Sequence, residues 1–321
     1  MLSLCLDDEK SFSAAAACLR EGGLVAFPTE TVYGLGADAT NDLAVARIFS
    51  VKGRPSFNPL IVHVANLAQA KTYGVFNATA QQLVAKFWPG PLTLVVPRVA
   101  ASPLSLLVSA GLDSVALRVP SHPQARALLH AFGGAIAAPS ANRSGRLSPT
   151  QALHVRQEYA GCEASPDLLL EGMDCEVGVE STIVDCTTQQ PRILRPGSIT
   201  AEMLKPMIGE PFAVPAGVIA APGMLASHYA PALPLRLNVR QVGPQEGLLA
   251  FGPQPLQGAA VTYNLSESGD LVEAASHLFA MMRLLDRSDL RGMAAMPIPM
   301  HGLGVAINDR LSRAAAPRPS A

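Results

Sequence analysis

Directly after the apolar run Leu24-Val-Ala-Phe, the segment Pro28-Thr29-Glu30-Thr31-Val32-Tyr33-Gly34-Leu35-Gly36 packs three hydroxyl side chains and two glycines into nine positions. Glycine lets a backbone approach a ligand closely, and hydroxyls both donate and accept. The same residues also suit a strand-end turn that needs them only for its conformation, and the segment alone leaves both readings open. Further on, Lys52-Gly53-Arg54-Pro55-Ser56-Phe57-Asn58-Pro59-Leu60 sets two cations around a glycine at the end of a helical pattern. A helix dipole explains cations there. The Pro-punctuated loop that follows would also hold Lys52 and Arg54 in place, and such a pair suits phosphate oxygens.

The remaining candidates sit in or after apolar runs. His63 lies inside one, where a lone histidine is more often a hydrogen-bonded core residue than a ligand contact. Arg118 lies in Val115–Val119, where burial demands an anionic partner, either a protein carboxylate or a substrate carboxylate. Ala138-Pro-Ser-Ala-Asn-Arg-Ser-Gly145, Glu180-Ser181-Thr182 and Arg195-Pro196-Gly197 again offer small residues, hydroxyls and arginines, each with a turn reading beside it. No Cys/His cluster and no Ser–His–Asp order accompanies them. The chemistry this supports is binding and charge neutralisation rather than a covalent nucleophile.

The elements that must position these groups alternate. Strand-like runs fall at Leu24–Phe27, Leu60–Val64, Leu92–Val96, Val115–Val119, Ile136–Ala138 and Thr182–Asp185. Helical patterns span Leu43–Val51 after the possible caps Asn41 and Asp42, and Ala80–Phe87 after Thr79. Ser148-Pro149-Thr150-Gln151 reads as a capping box opening a helix through Tyr159. The pattern predicts an α/β domain, without separating a parallel from a mixed sheet. After a last helix at Ile199–Ile208, residues 209–234 are dense in Pro, Gly and Ala and read as a linker. Beyond it, strands at 235–239, 248–251, 261–263 and 294–298, a helix spaced on Leu271, Ala274, Ala275, Leu278, Met282 and Leu285, and a final helix Val305–Ala315 predict a small Rossmann-like α/β unit. That unit lacks G-x-G-x-x-G, which argues against a nucleotide site of its own.

With 321 residues the chain can hold two such domains, and 49% hydrophobic against 15% charged residues excludes disorder. Mean hydropathy is +0.26, yet no apolar run approaches the roughly 18 residues of a spanning helix. Acidic residues near Met1 take the place of a signal peptide's basic region, so a cytoplasmic location is expected. Five scattered cysteines predict reduced thiols and no structural metal. A net charge of -1 gives no global attraction for nucleic acid, so an anionic substrate needs a local cation cluster.

Several strings, in order, resemble the YrdC-type threonylcarbamoyl-AMP synthases: 28–36, Lys-Gly-Arg-Pro (52–55), Asn-Pro-Leu-Ile-Val-His (58–63), Trp-Pro-Gly-Pro-Leu-Thr (88–93), Arg-Val-Pro (118–120), Ala-Pro-Ser-Ala-Asn (138–142), Glu-Ser-Thr (180–182) and Arg-Pro-Gly (195–197). Ala-Pro-Gly-Met with His228-Tyr229-Ala-Pro, and Gly302-Leu-Gly-Val-Ala-Ile-Asn, resemble the family's longer two-domain branch. The resemblance covers residues 12–315 and implies a YrdC-like twisted-sheet catalytic domain over 10–208, a linker or lid over 209–234, a Rossmann-like α/β domain over 235–315 and a tail over 316–321.

It also implies a reaction in which L-threonine, bicarbonate or CO2 and ATP give threonylcarbamoyl-AMP and pyrophosphate, with Mg2+ accompanying ATP, for tRNA threonylcarbamoyladenosine modification by a downstream transferase complex. Residue by residue, Thr31, His63, Arg118, Ala138 and Ser181 match the family's threonine contacts. Arg54, Asn58, Ser114, Ser140, Ser148, Arg195 and Tyr229 match its ATP contacts, and Lys52 joins Arg54 and Arg118 as the charges expected to serve catalysis. No protein side chain is expected to hold a metal. Under this reading the glycines of 28–36 shape a turn while Thr31 faces the amino acid. One departure, Ile307-Asn-Asp-Arg-Leu-Ser-Arg-Ala314, is assigned to the surface of the second domain. The alternatives are an RNA-binding regulator, with direct tRNA binding left open, and a carbamoyltransferase using carbamoyl phosphate.

Overall fold

The computed structural model describes residues 2–5, 9–209 and 227–317, so the central part of the expected lid, 210–226, and the extreme tail lie outside the described residues. The chain runs β1 (Leu2–Cys5), α1 (Glu9–Arg20), β2 (Val25–Phe27), β3 (Gly34–Asp38), α2 (Asp42–Lys52), β4 (Ile61–His63), α3 (Leu67–Ala70), α4 (Ala78–Phe87), β5 (Leu92–Pro97) and β6 (Ser114–Arg118). It continues through α5 (Pro123–Phe132), β7 (Ile136–Ala137), α6 (Ala152–Glu158), β8 (Leu168–Glu171), β9 (Thr182–Asp185), β10 (Arg192–Arg195) and α7 (Ala201–Ile208). A second unit holds β11 (Leu235–Arg236), β12 (Glu246–Ala250), β13 (Val261–Asn264), α8 (Leu271–Leu285), β14 (Gly292–Ala295) and α9 (Gly304–Ala315).

The first unit is a ten-stranded sheet in the order β1-β8-β2-β3-β7-β4-β6-β5-β9-β10, with parallel and antiparallel neighbours mixed. Both faces are covered. Along β2 and the residue before it the side chains alternate: Leu24 and Ala26 join a core with α2 and α4, whereas Val25 and Phe27 join a core with α1 and α5. The second unit is a four-stranded, all-parallel sheet, β11-β14-β12-β13, as expected of a Rossmann-like unit. No described helix is long and apolar enough to cross a membrane.

Three local expectations need correcting. Gly34 and Gly36 shape no turn; they belong to β3, between β2 and β7. A Cβ on Gly36 would lie 2.8 Å from both Phe27 and Ile136, so glycine is there for close strand packing. The capping box does not form, because α6 starts at Ala152 behind Gln151 without a side-chain cap. Ser148 instead donates to Glu180. The helix expected after Thr79 is capped by Asn77, whose Oδ1 accepts from Ala80 N at 2.8 Å. By contrast, Asn41 caps α2, and Gly53 closes it in the left-handed region at φ 59°, placing Lys52 in the last turn and Arg54 just beyond it.

The two units share a core. Val32, Leu147 and Val179 of the first unit pack in one cluster with Tyr229 and with Leu278, Phe279 and Met282 of α8. Gly178, at φ 75°, lies so close to α8 that a Cβ would collide with Ala275 O and the Cα of Ser276. Gly178→Ala combines left-handed strain with this overlap and is expected to cost about 2 kcal/mol or more. It would lower the denaturation midpoint and expose the interface to limited proteolysis; parental stability would show that the loop is not docked on α8.

Candidate active site

Strand register assembles the cleft. His63 on β4 stands opposite Arg118 on β6, and Leu92 on β5 opposite Thr182 on β9, which brings Ser181 to the same end of the sheet. Ala138 N donates to Ile61 O at 2.9 Å, carrying Ala138 and Ser140 in beside β4. Thr31, Arg54, His63, Arg118, Ala138, Ser140, Ser181, Arg195, His228 and Tyr229 thus line one cleft. Four residues matched to substrate contacts or catalysis do not line it: Lys52, Asn58, Ser114 and Ser148. Lys52 is buried with Nζ donating to the carbonyls of Ser140 and Asn142, which fixes that loop. Burial, reinforced by the nearby Arg54 charge, pushes the Lys52 ammonium well below its usual range. Asn58 is fully buried under Arg54, which donates from Nε to its carbonyl. Ser114 pairs with Pro97 at the start of β6, and Ser148 reaches the cleft only through Glu180.

Arg118 is fixed on three sides. Nη2 meets Glu30 Oε1 at 2.7 Å, Nη1 donates to Thr31 Oγ1 at 2.9 Å and Nε donates to the Gly90 carbonyl at 3.3 Å. The partner that burial demands is therefore a protein carboxylate, Glu30. The hydroxyls beyond form a directional chain. Thr29 Oγ1 donates to Val32 O at 2.6 Å, so the 2.9 Å contact between Thr29 and Thr31 is donated by Thr31, whose oxygen accepts from Arg118. Arg195 donates to Ser181 O and Oγ, and Ser181 Oγ also meets Thr93 Oγ1 at 2.7 Å. Arg54 donates to Pro59 O at 2.9 Å; burial, against the nearby Tyr229, lowers its guanidinium to about 10.

Three buried polar atoms lining the cleft have no hydrogen-bond or ion-pair partner among the described residues: His63 Nδ1, His228 Nδ1 and Tyr229 Oη. Unsatisfied groups gathered at one cleft are the signature of a site built for a polar ligand. Burial drives His63 and His228 down to about 3, so both imidazoles are neutral. Among the described residues no group of three His, Cys, Asp or Glu side chains could hold a metal.

Residues 17–197 match the family described as Telomere recombination, and residues 199–316 the one described as Threonylcarbamoyl-AMP synthase, C-terminal domain. The Bacillus subtilis (strain 168) threonylcarbamoyl-AMP synthase is 40% identical over 97% of this chain and 94% of its own. The chain belongs to the threonylcarbamoyl-AMP synthase family. A Pyrococcus abyssi threonylcarbamoyl-AMP synthase is 38% identical over 97% of this chain and 96% of its own. The crystal structure of P. abyssi Sua5 complexed with L-threonine superposes with a TM-score of 0.89 at 36% identity, covering 98% of this chain and 97% of that one. The likeness to Escherichia coli YciO, TM-score 0.53 at 22% identity over 61% of this chain and 94% of that one, is one of fold.

Three groups escaped the sequence reading of this synthase-family cleft. Glu30 and Glu180 stood inside singled-out strings without a role, and Arg310 lay in the departure assigned to the surface. Arg310 is in fact fully buried, and Asp309 bonds it at 2.9 Å while pairing with Arg313. A signal existed: Arg310 falls on the apolar stripe that starts at Leu303, just before α9, and runs through Ala306, Ile307, Leu311 and Ala314.

The buried ionisable groups set an acid limit. Burial raises Glu30 and Glu180, but the charges of Arg118 and Arg310 outweigh it and take both from 4.5 to about 2. His63 and His228 are depressed from 6.5 to about 3. In each case the unfolded chain binds the proton at higher pH than the folded one, so stability is lost as pH falls. Loss is expected to begin below about pH 6.5 through the histidines and to steepen below about pH 4.5 through the carboxylates. Urea midpoints from neutral pH downward test this, and a flat profile down to about pH 5 would contradict burial of neutral His63 and His228.

Proposed function

We propose that the chain condenses L-threonine, bicarbonate or CO2 and ATP into threonylcarbamoyl-AMP and pyrophosphate. The observation that carries this reading is the convergence of three buried guanidiniums, Arg54, Arg118 and Arg195, on a cleft that also presents unpartnered polar atoms. Family membership, and the L-threonine complex of the superposable P. abyssi protein, support it. Arg118, Thr31, His63 and Ser181 form the amino-acid side, with Arg118 taking the carboxylate. Arg54, Ser140, Arg195 and Tyr229 form the nucleotide side.

The threonine amine captures CO2 as a carbamate, losing a proton. A carbamate oxygen attacks the α-phosphorus of ATP, the bond from that phosphorus to the bridging oxygen breaks, and pyrophosphate leaves. Two anions must approach each other, so the protein's work is orientation and charge stabilisation. Neutral His63 adds no like charge beside Arg118. Mg2+ fits as a passenger on the nucleotide, since both oxygens of Glu180, the carboxylate on the cleft wall, are already engaged by Ser148 and Arg310. It would neutralise the phosphates and the leaving pyrophosphate. The product would pass to a tRNA-modifying transferase, with the enzyme working in the cytoplasm.

Pyrophosphate release is expected to require threonine and bicarbonate together and to stop on chelation of Mg2+. Arg118→Ala should lower kcat/KM for threonine by about 10- to 100-fold, and Arg195→Ala that for ATP by a similar factor, the worth of a hydrogen bond to a charged group. Mass analysis of products with each amino acid in turn, plus steady-state kinetics, tests both. Full activity in both variants, or pyrophosphate release indifferent to threonine, would overturn the reading.

A further inference from the structure

Glu180 is out of place in a cleft meant for a polyphosphate. Its carboxylate lies on the wall beside Arg195, where an uncompensated negative charge would repel the nucleotide. What compensates it comes from the other unit. Arg310 on α9, fully buried, donates from Nε to Glu180 Oε2 at 2.9 Å and from Nη2 to the Glu180 carbonyl at 3.4 Å. Its Nη1 donates to the carbonyl of Pro196, the neighbour of Arg195, at 2.8 Å. With one oxygen held this way, the other faces Ser148 and accepts its hydroxyl proton.

The same guanidinium lies 5.6 Å from the centre of the Tyr229 ring, which also meets the His228 ring at 4.1 Å and Phe279 of α8 at 5.3 Å. Tyr229 sits at φ 59°, a costly conformation for a tyrosine, and is held there by these contacts and by Ala230 N donating to Gly145 O at 2.7 Å. One side chain thus sets the charge of the wall and braces the ring beside it.

We propose that Arg310 is a positioning residue through which the second unit prepares the nucleotide half of the cleft, neutralising and orienting Glu180 and bracing Tyr229. Arg310 touches no substrate; it acts through those two side chains. The inference rests on the ATP-dependent reading above and assigns the second unit a role within the same site. It accounts for an arginine buried in an otherwise apolar stripe, where the loss of hydration has to be offset by partners such as Glu180 and Asp309.

The test is ATP binding by calorimetry and steady-state kinetics on the full chain, for the parent, Arg310→Met, Arg310→Lys, Glu180→Gln and the double variant Arg310→Met with Glu180→Gln. Arg310→Met should weaken ATP binding and raise its KM by about tenfold or more, with the threonine KM moving less than about threefold. Arg310→Lys should lie between. Adding Glu180→Gln to Arg310→Met should recover ATP binding, because the orphaned charge is gone.

Arg310→Met alone should regain ATP affinity from about pH 7.5 to about pH 5.5, where the parent shows no such gain. Glu180 then lacks Arg310, while Arg195, Ser148, neutral His228 and Tyr229 and the likewise released Asp309 carboxylate remain around it, so its carboxyl protonates more readily. Parental ATP affinity in Arg310→Met, equal loss of threonine and ATP use, or no recovery in the double variant would overturn the proposal. If Arg310→Met does not fold, Arg310→Lys and the double variant carry the comparison. A parent that binds ATP but makes no threonine-dependent product would overturn the functional reading while leaving the Arg310 comparison readable by calorimetry. A parent that binds no ATP overturns both.

Discussion

A guanidinium taken out of water needs partners for its donors and a counter-charge nearby, or its desolvation outweighs anything it contributes. Arg118 meets that condition through Glu30, Thr31 and Gly90 O, and Arg310 through Glu180, Pro196 O and Asp309. The sheet around them follows from this requirement. Glu30 reaches Arg118 because the chain turns between β2 and β3. Glu180 reaches Arg310 because the loop before β9 is pressed against the second unit at Gly178. The carboxylates let the cleft keep its guanidiniums charged while shielded from water, and charge in a shielded place is what an anion-joining reaction needs.

The second unit is consequently part of the site's wall. Its core takes in Val32, Leu147 and Val179, and each is the chain neighbour of a residue at or behind the cleft: Thr31, Ser148 and Glu180. Arg283 of α8 adds polar ties, donating to the Leu147 carbonyl and meeting Glu158 at 3.4 Å. Loosening α8 or α9 would move three segments of the cleft together. Close-packed interiors transmit displacement rather than absorb it.

What the sequence made legible divides along physical lines. Apolar runs bounded by Pro or Gly gave β4, β5, β6, β7 and β9, and the apolar stripe gave α8, because burial of one face leaves a period in the residues. The glycine-rich β3 was missed, since its glycines answer to Phe27 and Ile136, which lie far off in sequence. α1, α5, β1, β8 and β10 were also unforeseen. Of the cleft, the arginines and hydroxyls were readable as residue types, but their pairings were not: Arg118 could have met a substrate as easily as Glu30, and Lys52 looked like a phosphate ligand until its donors were found on two backbone carbonyls. Partner choice is a tertiary fact that no spacing encodes.

One consequence of those pairings concerns how an amino-acid carboxylate is received. Arg118 already has Nη1 on Thr31, Nη2 on Glu30 and Nε on Gly90 O, which takes three of its five N–H donors. An incoming carboxylate therefore meets the second hydrogens of Nη1 and Nη2 or gains a further one by displacing a partner. Of those partners, the hydroxyl chain makes Thr31 easier to displace than Glu30. Thr31 spends its proton on Thr29, which spends its own on Val32 O, so turning Thr31 outward frees its hydroxyl for the ligand and leaves Thr29 satisfied by the backbone. Glu30 cannot leave as readily: its other oxygen accepts from His122 N at 3.3 Å, and exposing it beside a second carboxylate would set two like charges together. The amino acid would then meet a guanidinium still half-neutralised by Glu30, gaining orientation more than raw electrostatic energy. An enzyme that must release its amino acid as part of a product benefits from a grip of that kind, because tight uniform binding lowers KM without raising kcat.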